Sequence, residues 1–137
     1  MSFTQRLVNR LEFPTKHVLV CEDDLDWQSL IAKRFAEMFG GQHSVQLSQV
    51  PGGPMATGIL GSSKVDLIIL DHDMPHGNAE DFLGWLASVA NPPPVLTNSG
   101  LDHNNARICE MWPSAHLGSK TRFAQGELDE TIRRLLA

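Results

Sequence analysis

Residues 65–75 read VDLIILDHDMP, and this stretch indicates the fold class more clearly than the rest of the chain. Five of the six residues from 65 to 70 are aliphatic, which is typical of a strand buried on both faces of a parallel sheet. Asp71 and Asp73 follow the strand directly. Because ligands of open α/β sheets bind outside the carboxyl ends of the strands, the stretch predicts a central strand with a site at its end.

Outward from this strand, short apolar runs alternate with segments of helical periodicity. The other predicted strands are residues 18–21, 44–50, 95–98 and 115–117. A helix is predicted after each strand, although the Gly- and Pro-rich residues 51–63 favour only a short, poorly defined one. Five such βα units with right-handed crossovers form a single α/β sheet with helices on both faces.

Length and charge narrow the classes of function. The chain has 137 residues, enough for one domain with a real core and too few for two, and residues 1–16 are left over as an N-terminal extension. Eleven Lys and Arg against sixteen Asp and Glu give a net charge of −5, which argues against nucleic acid or an anionic membrane surface as a partner. The polar N-terminus, the lack of a long apolar run and only two cysteines predict a cytoplasmic protein with reduced thiols.

Polar side chains collect where the predicted strands end. They are Glu22 and Asp23 after the first strand, Asp71 after the third, Ser99 after the fourth and Lys120 after the fifth. Since the carboxyl ends of parallel strands lie at one edge of the sheet, we expect these groups to converge there. Crowded carboxylates repel one another unless a cation lies between them, and a hard divalent ion such as Mg²⁺ prefers carboxylate and carbonyl oxygens.

This pattern resembles the receiver domains of two-component response regulators, of the single-domain kind found in chemotaxis. The residues that carry the resemblance are Glu22-Asp23-Asp24, the run Asp71-His72-Asp73-Met74-Pro75, and Lys120. The aliphatic strand ending in Asp-x-x-Met-Pro is specific, and the order and spacing of the other residues relative to Asp71 strengthen it. The resemblance implies a receiver domain over residues 17–137 with a flavodoxin-like (βα)₅ three-layer sandwich and a parallel five-stranded sheet of order 2-1-3-4-5.

The resemblance also implies which residues handle the phosphoryl group. Asp71 matches the aspartate that accepts it, Lys120 the lysine that pairs with its oxygens, and Ser99 the hydroxyl that turns toward it. Phosphoryl transfer through a loose transition state needs mainly alignment and charge neutralisation, which suits a weak nucleophile such as a carboxylate.

A metal site is implied in the same way. Asp23 and Asp71 match direct ligands of Mg²⁺, and Glu22 matches an acidic neighbour that usually acts through water. Asp73 matches the residue that offers its backbone carbonyl to the ion.

For function, the resemblance implies a switch and not a turnover enzyme. A sensor histidine kinase or a histidine phosphotransfer protein would supply the phosphoryl group. Because no DNA-binding segment follows the last predicted helix, we expect contact with a downstream target protein or onward transfer of the phosphoryl group. The expected assembly is a monomer or weak homodimer, with no nucleic acid or membrane as partner.

Two positions depart from the pattern of the family, and one role has two candidates. Thr121 stands where a proline usually follows the lysine, so the bond before it is expected to be trans. Leu117 stands where a Tyr or Phe commonly takes part in switching. Thr97 is a rival for the role of Ser99, although counting from Pro94 favours Ser99.

Other interpretations of the same residues stay open. Asp71-x-Asp73 also fits a haloacid-dehalogenase-type phosphatase, with Asp71 as nucleophile and Asp73 as acid/base, although that motif normally continues to Thr or Val. A degenerate receiver would act only as a protein-binding module. A transition-metal site that adds His72 and His76 to the two aspartates would normally need more histidines.

Some conspicuous residues have an ordinary structural explanation. Asp24 and Asp26 are expected to cap the helix that follows them. Trp27, Trp85 and Trp112 are expected to be core or groove residues.

Overall fold

The computed structural model describes residues 15–40, 45–74 and 78–137. Its strands are β1 (Lys16–Cys21), β2 (Val45–Val50), β3 (Leu67–Leu70) and β4 (Val95–Thr97). Its helices are α1 (Leu25–Phe39), α2 (Gly53–Ser62), α3 (Ala79–Leu86), α4 (Asp102–Met111), α5 (Lys120–Ala124) and α6 (Asp129–Leu135). Most of the predicted N-terminal extension lies outside the described residues, as do Pro75 and His76. Among the helices in these ranges, none has the length and apolarity that crossing a membrane requires.

The four strands form a parallel sheet in the order β2-β1-β3-β4, as predicted for the first four positions. Alternate residues of the two central strands face opposite sides of the sheet. Leu19 and Ile68 join the core beneath α2, α3 and α4, whereas Val20 and Ile69 join the core beneath α1, α5 and α6. Helices therefore cover both faces, which explains why β1 and β3 are continuous apolar runs.

Helix α1 begins and ends at the residues that its sequence indicates. The Asp24 carboxylate accepts hydrogen bonds from the backbone N–H groups of Asp26, at 2.9 Å, and Trp27, at 3.1 Å. Gly40 has a φ of 64°, the left-handed conformation that commonly ends a helix. The capping interpretation of Asp24 is confirmed, whereas Asp26 lies inside the first turn.

Helix α2 is more regular than its composition predicts. The expectation of a short, poorly defined helix over residues 51–63 was wrong, since the helix has ten residues. Its proline lies in the first turn, where the missing N–H costs nothing. Ala56 is fully buried, and Ile59 and Leu60 pack against the core, so tertiary packing outweighs the low helix propensity of the glycines.

The fifth position of the sheet is occupied, but by one residue and not by a strand. His116 pairs in parallel with Leu96 beside β4. The ladder stops there because the Thr97 hydroxyl donates to the Gly118 carbonyl at 2.9 Å and accepts from the Gly118 N–H at 2.8 Å. A Cβ at Gly118 would lie 2.5 Å from the Thr97 carbonyl oxygen, so only glycine permits this approach.

A short helix, α5, precedes the predicted C-terminal helix and begins at Lys120. The Ser119 hydroxyl caps it by accepting from the Arg122 N–H at 3.2 Å. Gly126, with a φ of 77°, lies between α5 and α6. The lysine predicted for the site is thereby held at a helix start beside the carboxyl end of β4.

Candidate functional site

The register of β1 and β3 places the two buried carboxylates side by side. Cys21 and Leu70 are paired residues at the ends of these strands, and the Asp71 N–H donates to the Cys21 carbonyl at 3.1 Å. Glu22 and Asp71 are the residues that follow. The chain leaves β1 toward β2 on one side and enters β3 on the other, so the pair lies at the point where strand order reverses and α/β sheets bind ligands.

Both carboxylates share the single ammonium group of Lys120. Its Nζ lies 3.0 Å from Oε2 of Glu22 and 3.4 Å from Oδ2 of Asp71. Glu22 is fully buried and Asp71 is 4% exposed. Asp71 Oδ1 accepts from the His72 N–H at 2.8 Å, which orients the carboxylate with its other oxygen toward the lysine. Two buried negative charges therefore face one positive charge.

The charge imbalance is reflected in the acidities of these groups. Burial raises the pKa of Asp71 above its ordinary value, with the Lys120 charge opposing that shift and the Asp73 charge adding to it. Burial also raises the pKa of Glu22, against the opposing effect of the Lys120 ammonium. The pKa of Lys120 is raised because its two carboxylate partners outweigh its own burial. Burial, reinforced by the Asp71 charge, raises the pKa of Cys21 to about 12, so this thiol stays protonated.

Asp23 completes a set of three acidic groups. Oxygen atoms of Glu22, Asp23 and Asp71 lie within 4.8 Å of one another, and Asp23 is exposed while the other two are buried. Because Asp23 is exposed, an ion bound among these groups would enter from solvent on the side of Asp23. Because the surplus negative charge of the buried pair has no further cation among the described residues, the donor set fits a hard divalent ion.

Asp73 lines the same opening, and its carboxylate contacts His72 and Asn104. Its carboxylate is 70% exposed and lies 2.9 Å from Nδ1 of His72. It also accepts from the side-chain amide of Asn104 at 3.3 Å. The open pocket has a volume of about 760 Å³ and is lined by Ser99, Gly100, Leu25, Leu101, Lys120 and six acidic residues: Glu22, Asp23, Asp24, Asp26, Asp71 and Asp73.

Ser99 and Thr97 occupy different places, and only Ser99 borders the pocket. The Thr97 hydroxyl is fully buried and occupied by both backbone groups of Gly118. Ser99 Oγ accepts a weak hydrogen bond from the Leu101 N–H at 3.3 Å. The geometry therefore favours Ser99 over its rival as the hydroxyl nearest the acidic residues.

Two positions, Thr121 and Leu117, depart from the receiver pattern. The peptide bond between Lys120 and Thr121 is trans. Leu117 is 57% exposed and lies on the surface, so its side chain fills no cavity beside the site.

Three residues near the site were not assigned a role from the sequence. The Trp27 ring lies under the Lys120 ammonium, with Nζ 5.3 Å from its centroid, which is a cation–π contact. Asn104 contacts Asp73, and Asn105 contacts the backbone of Ser99. The sequence signal for these residues was their spacing. Trp27 follows Asp23 by four residues, and the two asparagines lie in the first turn of α4. An indole or an amide at such positions is equally typical of a core or a helix cap.

Comparison with known proteins agrees with this architecture. A signal receiver domain from Vibrio parahaemolyticus is 22% identical, with a TM-score of 0.73 over 90% of this chain and 91% of that one. The phosphorylated cyanobacterial phytochrome response regulator RcpA is 18% identical, with a TM-score of 0.72 over 90% of this chain and 94% of that one. The Mn²⁺-bound form of the response regulator Rcp1 is 19% identical, with a TM-score of 0.62 over 82% and 91%.

These likenesses confirm the predicted fold, a flavodoxin-like α/β architecture shared with receiver domains. No protein-family model matches the chain, and a search of curated proteins gives no match.

Proposed function

We propose that this chain is a receiver domain that accepts a phosphoryl group on Asp71 and thereby switches its contacts with other proteins. The observation that carries the proposal is the placement of Asp71. Its carboxylate is buried at the end of β3, faces Lys120, and lies within 4.8 Å of carboxylate oxygens of Glu22 and Asp23. A carboxylate is a weak nucleophile, but it suits phosphoryl transfer because that reaction depends mainly on positioning and electrostatic stabilisation.

Asp71 is the nucleophile, and Lys120 and Ser99 stabilise the charge of the phosphoryl oxygens. A carboxylate oxygen of Asp71 forms a bond to phosphorus as the bond from phosphorus to the donor nitrogen breaks and that nitrogen leaves with the electron pair. The Lys120 ammonium, now shared with Glu22, pairs with the phosphoryl oxygens. The Ser99 hydroxyl, which accepts a weak bond from the Leu101 N–H, turns to donate to one of them.

The acidic residues are proposed to hold Mg²⁺. Asp23 and Asp71 would bind directly, Glu22 through water, and Asp73 by its backbone carbonyl. When bound, the ion would neutralise the surplus negative charge and the charge of the phosphoryl oxygens. The similar protein Rcp1 has a Mn²⁺-bound form, which supports a divalent ion of this class.

The partners follow from this chemistry. We propose a sensor histidine kinase or a histidine phosphotransfer protein as donor and a downstream protein as target, in a cytoplasmic phosphorelay. Residues 17–137 form the receiver, which acts as a monomer or weak homodimer, without nucleic acid or membrane, and as a signalling module and not a turnover enzyme.

The phosphatase alternative is less well supported. It needs Asp73 as acid/base beside Asp71, but the Asp73 carboxylate is 70% exposed and engaged by His72 and Asn104. A degenerate receiver would have no need of the three-carboxylate cluster or the buried lysine contacts.

The decisive experiment is labelling by a small phosphodonor. Wild-type protein incubated with Mg²⁺ and phosphoramidate should gain one phosphoryl group by intact-mass spectrometry, and Asp71→Asn should gain none. Asp81→Asn, which removes an exposed carboxylate on α3, is the matched control and should label normally. Equal labelling of Asp71→Asn would refute the assignment, and continuous phosphate release from small phosphate esters would favour the phosphatase.

A further inference from the structure

Asn105 binds the backbone of Ser99 with both ends of its side chain. Its amide oxygen accepts from the Ser99 N–H at 2.8 Å, and its amide nitrogen donates to the Ser99 carbonyl at 3.1 Å. Asn105 is 1% exposed and Ser99 is 2% exposed. Because the paired bonds are shielded from water, they hold the main chain of Ser99 against the first turn of α4.

The same carbonyl connects Ser99 to the start of α5. It accepts from the Lys120 N–H at 3.1 Å as well as from Asn105. Ser99 and Lys120 are the two groups proposed to bind the phosphoryl oxygens. Their separation is therefore set by one backbone residue that Asn105 holds on both sides.

The side chain of Ser99 is held much more loosely than its main chain. Among the described residues its hydroxyl oxygen accepts one hydrogen bond, from the Leu101 N–H at 3.3 Å. Leu101 is the N-cap of α4 and provides no side-chain cap of its own. If the hydroxyl rotates away, the Leu101 N–H loses this partner at the helix start, while the Asn105 bonds can remain.

We propose that Asn105 is a positioning residue for phosphoryl binding. This inference rests on the proposed function. Asn105 holds the Ser99 main chain so that the hydroxyl reaches the phosphoryl group on Asp71 by rotation of its side chain alone.

A double-mutant cycle tests this assignment. Labelling rates from phosphoramidate and Mg²⁺ are measured for wild type, Ser99→Ala, Asn105→Ala and the double variant. If Asn105 acts through the Ser99 hydroxyl, each single variant should slow labelling about tenfold, and the double variant should be no slower than Ser99→Ala. The Mg²⁺ affinity of Asn105→Ala, measured by titration, should match wild type because both hydrogen bonds of the Asn105 side chain go to the Ser99 backbone.

Two further variants keep the test decisive. Asn104→Ala removes the adjacent amide, which contacts Asp73 and not Ser99, so any loss it causes should persist in the Ser99→Ala background. If Asn105→Ala does not fold by circular dichroism, Asn105→Asp replaces it, because a carboxylate can still accept from the Ser99 N–H but cannot donate to the carbonyl. It should show the same non-additivity.

The outcomes separate the two proposals. A wild-type protein that never labels on Asp71 refutes the proposed function and this inference with it. This inference alone is overturned if wild type labels normally and adding Asn105→Ala to Ser99→Ala slows labelling as much as adding it to wild type. A fall in Mg²⁺ affinity equal to the fall in rate would also overturn it, because it would show a general disturbance of the site.

Discussion

At the amino ends of β1 and β3, His17 lies in a polar cluster in which each group has a partner. Its backbone N–H donates to Asp66 Oδ2 at 2.9 Å, and its carbonyl accepts from the Asp66 N–H at 2.8 Å. The ring Nδ1 lies 3.1 Å from the Lys64 carbonyl, which can only accept, so Nδ1 carries the proton. Nε2 is then free to accept from the Ser48 hydroxyl at 2.6 Å.

At the carboxyl ends of the same strands, the buried groups are charged and unevenly matched. Glu22 and Asp71 share Lys120, and Asp23 adds a third acidic group at the surface. Burial raises the pKa of both Glu22 and Asp71, which means that the fold itself opposes their ionised forms.

The difference separates a polar cluster whose groups are paired within the chain from one with an excess of buried negative charge. The His17 cluster is complete within the chain and stabilises the fold, because each buried group exchanges water for a partner. In the Asp71 cluster two buried carboxylates share one ammonium, so an excess of negative charge remains, and the proposed Mg²⁺ would neutralise it. Substitutions at the two ends should therefore have opposite effects on stability.

The largest effect is expected at the amino end. His17→Ala should lower the free energy of unfolding by about 3 kcal/mol, since it leaves the Ser48 hydroxyl and the Lys64 carbonyl without a partner and removes a buried ring. Ser48→Ala, which removes one hydrogen bond, should cost only about 1 kcal/mol. Urea unfolding measures both, and a His17→Ala protein as stable as wild type would show that this cluster is not structural.

Mg²⁺ should offset the loss of stability that the acidic cluster causes at the carboxyl ends of the strands. At a hundred times its dissociation constant the ion should add about 2.7 kcal/mol to the free energy of unfolding. Asp23→Ala should lose most of this gain because it removes a direct ligand, whereas Asp81→Asn should retain it. Thermal unfolding with EDTA or Mg²⁺ provides the measurement, and identical melting temperatures for wild type under the two conditions would contradict the site.

Without metal, Asp71→Asn should stabilise the protein. The pKa of Asp71 is raised in the folded state, so its contribution to stability is complete below the unfolded value of about 4 and is lost as pH rises through the raised pKa. Removing the charge should gain on the order of 1 kcal/mol at pH 7, and the gain should shrink as the pH falls toward that of the unfolded carboxyl. Urea unfolding in EDTA at pH 7 and pH 5 tests this. A variant less stable than wild type at pH 7 would refute the inferred excess of buried negative charge.

The smallest effect concerns the ring beneath Lys120. Trp27→Leu and Lys120→Met, combined in a double-mutant cycle of urea unfolding, should show a coupling of about 0.5–1 kcal/mol. Trp27→Phe retains an aromatic face and should preserve part of this coupling. Purely additive losses would mean that the indole only packs beside the lysine.

The sequence was sufficient for the main strands and for the convergence of three carboxylates at one edge of the sheet. Within the predicted strand 65–70, Leu67–Leu70 form β3 and are buried on both faces, which places the next residue, Asp71, at the carboxyl edge of a parallel sheet. The same reasoning places Glu22 and Asp23 after β1. Periodicity and chain order report burial and direction, and these were enough to bring the carboxylates together.

Composition alone was insufficient where long-range packing competes with local preference. The glycine-rich residues that form α2 become a ten-residue helix because the core beneath them needs Ala56 and its neighbours. The predicted fifth strand is reduced to a single pair at His116 because the Thr97 hydroxyl takes both backbone groups of Gly118.

What the sequence by itself determined was therefore the succession of buried strands along the chain and the presence of carboxylates, a hydroxyl and an ammonium at one edge. Only the tertiary structure decided how these groups pair: Lys120 lies nearer Glu22 than Asp71, and Asn105 holds Ser99. The physical reason is that burial follows from apolar spacing along the chain, whereas a hydrogen-bond partner is selected among several suitable polar groups by contacts between residues distant in sequence.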